Sequence, residues 1–216
     1  MSAAAPAGAC GGGRLLVDGP AGALEVQVDC PAAARPGVAV VGHPHPLYGG
    51  SLDNKVAHIL ARAAGDLDLP AVRFNFRGVG RSAGDFDQGC GEADDMAAVA
   101  AWARERFPGP LLLAGFSFGA WVAWRLHPAL APRALALVAP PVSLYDFGRP
   151  VEAACPWLVV QGSDDEVVDA AAVRAWAEAR DPAPALAWLE GAGHFFHGRL
   201  NEVRAAVCEA WREVLE

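Results

Sequence analysis

Apolar and polar positions along the chain separate into short β-type runs and longer helical ones. Arg14–Asp18 and Ala23–Asp29 alternate around Gly19-Pro20-Ala21-Gly22, the pattern of an antiparallel hairpin. Val38–Gly42 is a continuous β-branched run, which suits a central strand, and Pro70–Phe76, Leu111–Phe116, Arg133–Ala139, Pro156–Gln161 and Ala185–Leu189 read as further strands. Between them lie segments with helical spacing. Asn54–Ala64 has Ser51 as an upstream cap, and Glu92–Phe107 places Met96, Val99, Ala100, Ala103 and Phe107 on one face. A helix follows Ser117, another spans Ala170–Ala179, and Leu200–Leu215 aligns Val203, Val207, Ala210, Trp211 and Val214. After the hairpin, strand and helix alternate. This predicts an α/β fold with a mostly parallel central sheet and helices on both faces.

Residues 1–13, rich in alanine and glycine, read as a disordered tail, and 14–216 as a single domain. The tail lacks the basic start and leucine-rich centre of a signal peptide. A hydrophobic content of 53% with 19% charged residues agrees with a compact buried sheet. The net charge of −8 argues against nucleic acid and anionic membrane surfaces as partners. Cys10, Cys30, Cys90, Cys155 and Cys208 form no CxxC or zinc spacing; the odd, scattered set predicts reduced thiols in a cytoplasmic protein. Monomer and homodimer both remain open.

The chemistry centres on Gly115-Phe116-Ser117-Phe118-Gly119, a GxSxG turn between an apolar strand and an unbroken helical run. Glycines two residues to either side of a serine allow the sharp strand-to-helix turn that exposes its hydroxyl. A hydroxyl is a weak nucleophile and needs a base, which in turn needs an orienting acid. Acids follow the Pro156–Gln161 strand at Asp164, Asp165, Glu166 and Asp169. The spacing from Gly162 favours Asp165, with Asp164 as alternative, while Asp169 suffices to cap the next helix. For the base, His194 in a small-residue loop is preferred over His197. Phe118 supplies one oxyanion N–H. The second comes from the loop after Val38–Gly42, where Pro44 and Pro46 have none, leaving His45, Leu47 or Tyr48, with His45 preferred. Leu47, Tyr48, Phe116 and Tyr145 are candidate substrate-binding residues. The histidine pairs 43/45 and 194/197 have no carboxylate at ligand spacing, so neither a metal nor another cofactor is expected. Arg77-Gly78-Val79-Gly80 lacks the Lys-Ser/Thr of a phosphate loop.

His43–Lys55, Phe74–Ser82, Gly115–Ala120 and Gly193–Gly198 together resemble the α/β-hydrolase superfamily. Within it, the chain is similar to small lidless bacterial serine hydrolases related to dienelactone hydrolases and the serine aminopeptidase-like group. The resemblance runs from about Leu15 to the C-terminus. It implies Ser117, Asp165 and His194 as a catalytic triad and an oxyanion donor in the 43–48 loop. It also implies no cap domain, since only 141–155 is available after the Arg133–Ala139 strand. Serine at 117 departs from the cysteine of dienelactone hydrolases and from the aspartate of dehalogenases and epoxide hydrolases. The expected activity is hydrolysis of small or accessible carboxylic esters through an acyl-enzyme, as in carboxylesterases. Thioester or amide cleavage, or ligand binding without catalysis, are the alternatives.

Overall fold

The computed structural model describes residues 10–148 and 155–216. Within them an eight-stranded sheet has the order β1-β2-β4-β3-β5-β6-β7-β8. The strands are β1 (Gly13–Gly19), β2 (Gly22–Asp29), β3 (Val38–Gly42), β4 (Ala71–Phe74), β5 (Leu111–Phe116), β6 (Ala134–Val138), β7 (Trp157–Gly162) and β8 (Ala185–Leu189). β2 is antiparallel to both β1 and β4, and every other pairing is parallel. The expected α/β architecture with its N-terminal hairpin is therefore observed.

Among the described residues five α-helices cover the sheet: α1 (Lys55–Gly65), α2 (Cys90–Arg106), α3 (Phe118–Leu130), α4 (Ala170–Glu178) and α5 (Leu200–Leu215). Side chains of β5 alternate between two cores. Leu111 and Leu113 pack with residues of α2, α3 and α4, whereas Leu112, Ala114 and Phe116 pack with α1 and α5. A two-residue period on a strand buried on both faces produces this division.

Several local expectations need correction. Asn54, not Ser51, caps α1, its Oδ1 accepting from the Val56 and Ala57 N–H groups. α2 starts at Cys90 because Glu92 reaches back to the Gly89 N–H, 2.7 Å. The 43–50 loop contains a single 3-10 turn, Pro46–Tyr48, despite its prolines. Proline at the first position of such a turn loses no hydrogen bond.

The thiol expectation is overturned for one pair: Cys10 and Cys30 form a disulfide. Hairpin register explains it. Gly13 pairs with Val28, so the chain before β1 runs beside the end of β2 and brings the two cysteines' Cα atoms to 5.8 Å. Of the expected tail, residues 1–9 lie outside the described residues. Residues 10–13 are held by that bridge, by Arg106 donating to the Gly11 carbonyl, and by Gly13 entering β1. The connection between β6 and β7 includes no cap domain, and its residues 149–154 lie outside the described residues. No described helix is long and apolar enough to cross a membrane.

Candidate active site

Loops at the carboxyl ends of β3, β5, β7 and β8 converge on one place, as parallel sheets arrange. Ser117 occupies the turn from β5 into α3 with φ +53° and ψ −117°, a backbone that a non-glycine residue adopts only under constraint. The constraint is visible on both sides. A Cβ on Gly115 would lie 2.1 Å from the Gly119 carbonyl oxygen, and one on Gly119 would lie 2.5 Å from the Gly42 backbone. The two glycines let β3, the turn and α3 approach this closely. The Ser117 N–H is fixed to the Val138 carbonyl, 2.8 Å, which ties the turn to β6.

The His194 Nε2 atom lies 3.2 Å from Ser117 Oγ, and its Nδ1 lies 2.9 Å from Asp165 Oδ2. The His194 and Asp165 side chains are both buried. Burial opposes the Asp165 charge. Hydrogen bonds from His194 and from the Val168 and Val167 N–H groups outweigh it, and the carboxyl titrates below its ordinary range. Gln161 Nε2 donates to the same carboxylate at 3.0 Å. Asp164 is directed elsewhere, accepting from the Ser163 hydroxyl, and Asp169 caps α4 through the Ala172 N–H. His197 is exposed, its ring 6.0 Å from that of Phe195.

The 43–50 loop is anchored by His43. This buried imidazole has Nδ1 2.6 Å from the Pro44 carbonyl and accepts from the Phe76 N–H on Nε2. Burial lowers its pKa to about 4, so it is neutral. In the same loop Leu47 donates its N–H to His45 Nδ1, and Tyr48 donates to the His45 carbonyl. Those two N–H groups are occupied. The N–H groups of His45 and Phe118 donate to no acceptor among the described residues.

A cleft of about 370 Å³ lies over Ser117 and His194, with His45, Tyr48, Phe118 and Tyr145 in its walls. Of the six large apolar side chains exposed among the described residues, four line this cleft: Tyr48, Leu144, Val167 and Phe195. Such clustering marks a surface that receives apolar matter. Two expected wall residues are placed elsewhere. Leu47 is 67% exposed and stands outside the cleft. Phe116 is fully buried and supports the His194 ring from below, centroids 5.0 Å apart. Alternation along β5 accounts for Phe116, since the residue before the serine faces the core of α1 and α5.

Sequence reasoning missed Gln161, and it named Glu166 only as one of four candidate acids, not as a support for the His194 main chain. Glu166 Oε2 accepts the His194 backbone N–H at 3.0 Å. Glu166 acts on a separate loop that only the fold brings near, whereas Gln161 ends β7 and meets Asp165 only four residues on, where the loop folds back on it.

The sequence and the fold have relatives. A family model described as X-Pro dipeptidyl-peptidase (S15 family) matches residues 70–152. A serine hydrolase without a lid from Xanthomonas campestris superposes with TM-score 0.89 at 44% identity, covering 97% of each chain. An α/β serine hydrolase homologue from Coxiella burnetii gives TM-score 0.87 at 41% identity over 91% of this chain and 95% of that one. An uncharacterized Rickettsia prowazekii protein is 32% identical, with coverage of 90% of this chain and 86% of the relative.

Proposed function

The chain belongs to the lidless α/β serine hydrolases, and from that premise we propose that it hydrolyses carboxylic esters through an acyl-enzyme on Ser117. The observation that carries this reading is the continuous relay from Ser117 Oγ to His194 Nε2, 3.2 Å, and from His194 Nδ1 to Asp165, 2.9 Å.

In the first step His194 accepts the Ser117 proton while Oγ bonds to the ester carbonyl carbon. The buried Asp165 carboxylate holds Nδ1–H and offsets the charge of the imidazolium. The carbonyl oxygen, now an oxyanion, is taken by the N–H groups of Phe118 and His45, with the N-terminus of α3 adding its positive end. The carbon–oxygen bond to the alcohol breaks and His194 gives its proton to the leaving oxygen. Water, deprotonated by His194, then attacks the acyl carbon; the bond from that carbon to Ser117 Oγ breaks, His194 returns the proton to Oγ, and the carboxylic acid leaves.

Esters are favoured over peptides by the walls of the cleft. Its walls are chiefly apolar, suited to an acyl chain rather than to peptide N–H and C=O groups. Peptide cleavage, as the name of the matching family model would suggest, requires polar partners for that backbone.

The test is hydrolysis of p-nitrophenyl esters from acetate to decanoate by the wild type and Ser117→Ala. The expected result is turnover by the wild type and a loss of roughly 10⁴-fold or more in the variant. Turnover retained by Ser117→Ala overturns the reading. Failure of the wild type on all esters, with turnover of acyl thioesters or anilides, moves the activity to those substrates.

A further inference from the structure

The cleft continues past Phe195. A second hollow of about 320 Å³ adjoins it and shares Gly49, Asn54 and Phe195 with it. The two hollows differ in chemistry. Leu144, Tyr145 and Val167 line the cleft alone, whereas Ser51, Asp53, Lys55 and His197 line the second hollow alone.

Its charge is unusual for this molecule. Lys55 is the only lysine in a chain of net charge −8, and it forms no ion pair among the described residues. The Asp53 carboxylate in the same hollow is taken by Arg14 at 2.6 Å. Lys55 also opens α1, whose eleven residues direct a positive dipole end toward this side. His197 adds an exposed imidazole.

We infer that this hollow binds an anionic group, carboxylate or phosphate, carried on the leaving alcohol of the ester. The inference rests on the proposed hydrolase reading, because that reading gives the hollow its side. His194 protonates the leaving oxygen, so atoms beyond that oxygen lie next to Phe195, where the hollow begins. The acyl part then lies toward Leu144, Tyr145 and Val167. The substrate class is an ester joining an apolar acid to an alcohol that bears an anion. Water cleaves it: the acyl carbon gains an oxygen from water and leaves as a carboxylate. The alcohol keeps its anionic group and gains a proton through His194.

The test compares kcat/KM for 4-carboxyphenyl butyrate with that for the neutral 4-carbamoylphenyl butyrate, in wild type, Lys55→Gln, Lys55→Gln/His197→Gln and Ser117→Ala. The expected result is a preference of roughly threefold for the carboxylate at low salt, the size an exposed ion pair supports. It lies in KM, shrinks as salt is added, and falls toward parity in the two Lys55 variants. Equal or better turnover of the neutral ester by the wild type overturns the inference alone. So does a preference that survives both substitutions. Turnover of neither ester, or of both by Ser117→Ala, overturns the hydrolase reading and this inference with it.

Discussion

Glu166 holds His194 by its backbone: the carboxylate Oε2 accepts the His194 N–H at 3.0 Å, while Asp165, one residue earlier, holds the imidazole. Adjacent acids from one loop thus fix both the main chain and the ring of the histidine. Gly193 makes room for this, since a Cβ there would lie 2.7 Å from the same Oε2.

Glu166→Ala is expected to lower kcat by about tenfold with little change in KM, the scale of one lost charge-assisted hydrogen bond at a positioning residue. Glu166→Gln keeps an acceptor oxygen and should recover most of the rate. Gly193→Ala displaces the flexible Glu166 carboxylate and should reproduce the Glu166→Ala loss. Because both changes break the same bond, the double variant should be no slower than either single one. Steady-state kinetics on one p-nitrophenyl ester checks all four; additive losses would show that the two residues act separately.

Asp165→Asn tests the orientation of the base. An asparagine there can still accept the Val167 and Val168 N–H groups with its oxygen, which turns its NH₂ toward His194 Nδ1. Nδ1 must then be the acceptor and Nε2 carries the proton, so His194 cannot take the Ser117 proton. The expected loss in kcat is on the order of 10⁴-fold, with some loss of thermal stability, because the new NH₂ also meets the Gln161 Nε2 donor. A loss under tenfold would place the orienting acid elsewhere.

His43 links stability to pH. Folded, its pKa is about 4 because of burial, against 6.5 for the ordinary imidazole. Between these values the unfolded chain binds a proton that the folded chain does not. The His43 contribution is therefore complete above pH 6.5 and is lost as the pH falls to about 4, amounting to about 3 kcal/mol. His43→Gln retains an acceptor for the Phe76 N–H and does not titrate. Urea unfolding at pH 7, 5.5 and 4.5 should show wild type and variant converging as the pH falls. A constant difference would mean that His43 does not sense this range.

Strands and the elbow were legible because their signals are local. A continuous apolar run bounded by glycine or proline identifies β3, β5 and β7, and the Gly115 and Gly119 spacing marks a turn whose crowding the structure displays. The sequence reading also named Ser117, Asp165 and His194, which the fold brings within hydrogen-bonding distance of one another. Less legible was whatever depends on which way a residue faces or on what a loop meets. Phe116 and Leu47 are aromatic and apolar neighbours of the site, yet one faces the core and the other solvent. The backbone role of Glu166 has no pattern, since its partner lies on a separate loop, and Gln161 reads as an ordinary strand residue until the loop after β7 folds Asp165 back onto it. The Cys10–Cys30 bridge was invisible for the same reason: a separation of 20 residues says nothing until the hairpin register is known.

That bridge leads to the last prediction. It closes a short loop around the hairpin, which constrains the unfolded chain and is worth about 3 kcal/mol for a loop of this size. It also lies at the end of the sheet away from Ser117. Asp29 of β2 pairs with Ala71 at the start of β4, whereas the site is built on the carboxyl ends of the parallel strands. Cys10→Ser/Cys30→Ser should therefore unfold at lower urea yet hydrolyse esters with the wild-type kcat/KM. In the wild type denatured without reductant, three thiols should titrate, those of Cys90, Cys155 and Cys208. Five titrating thiols would mean the bridge is not formed, and the variant would then match the wild type in stability as well as in rate.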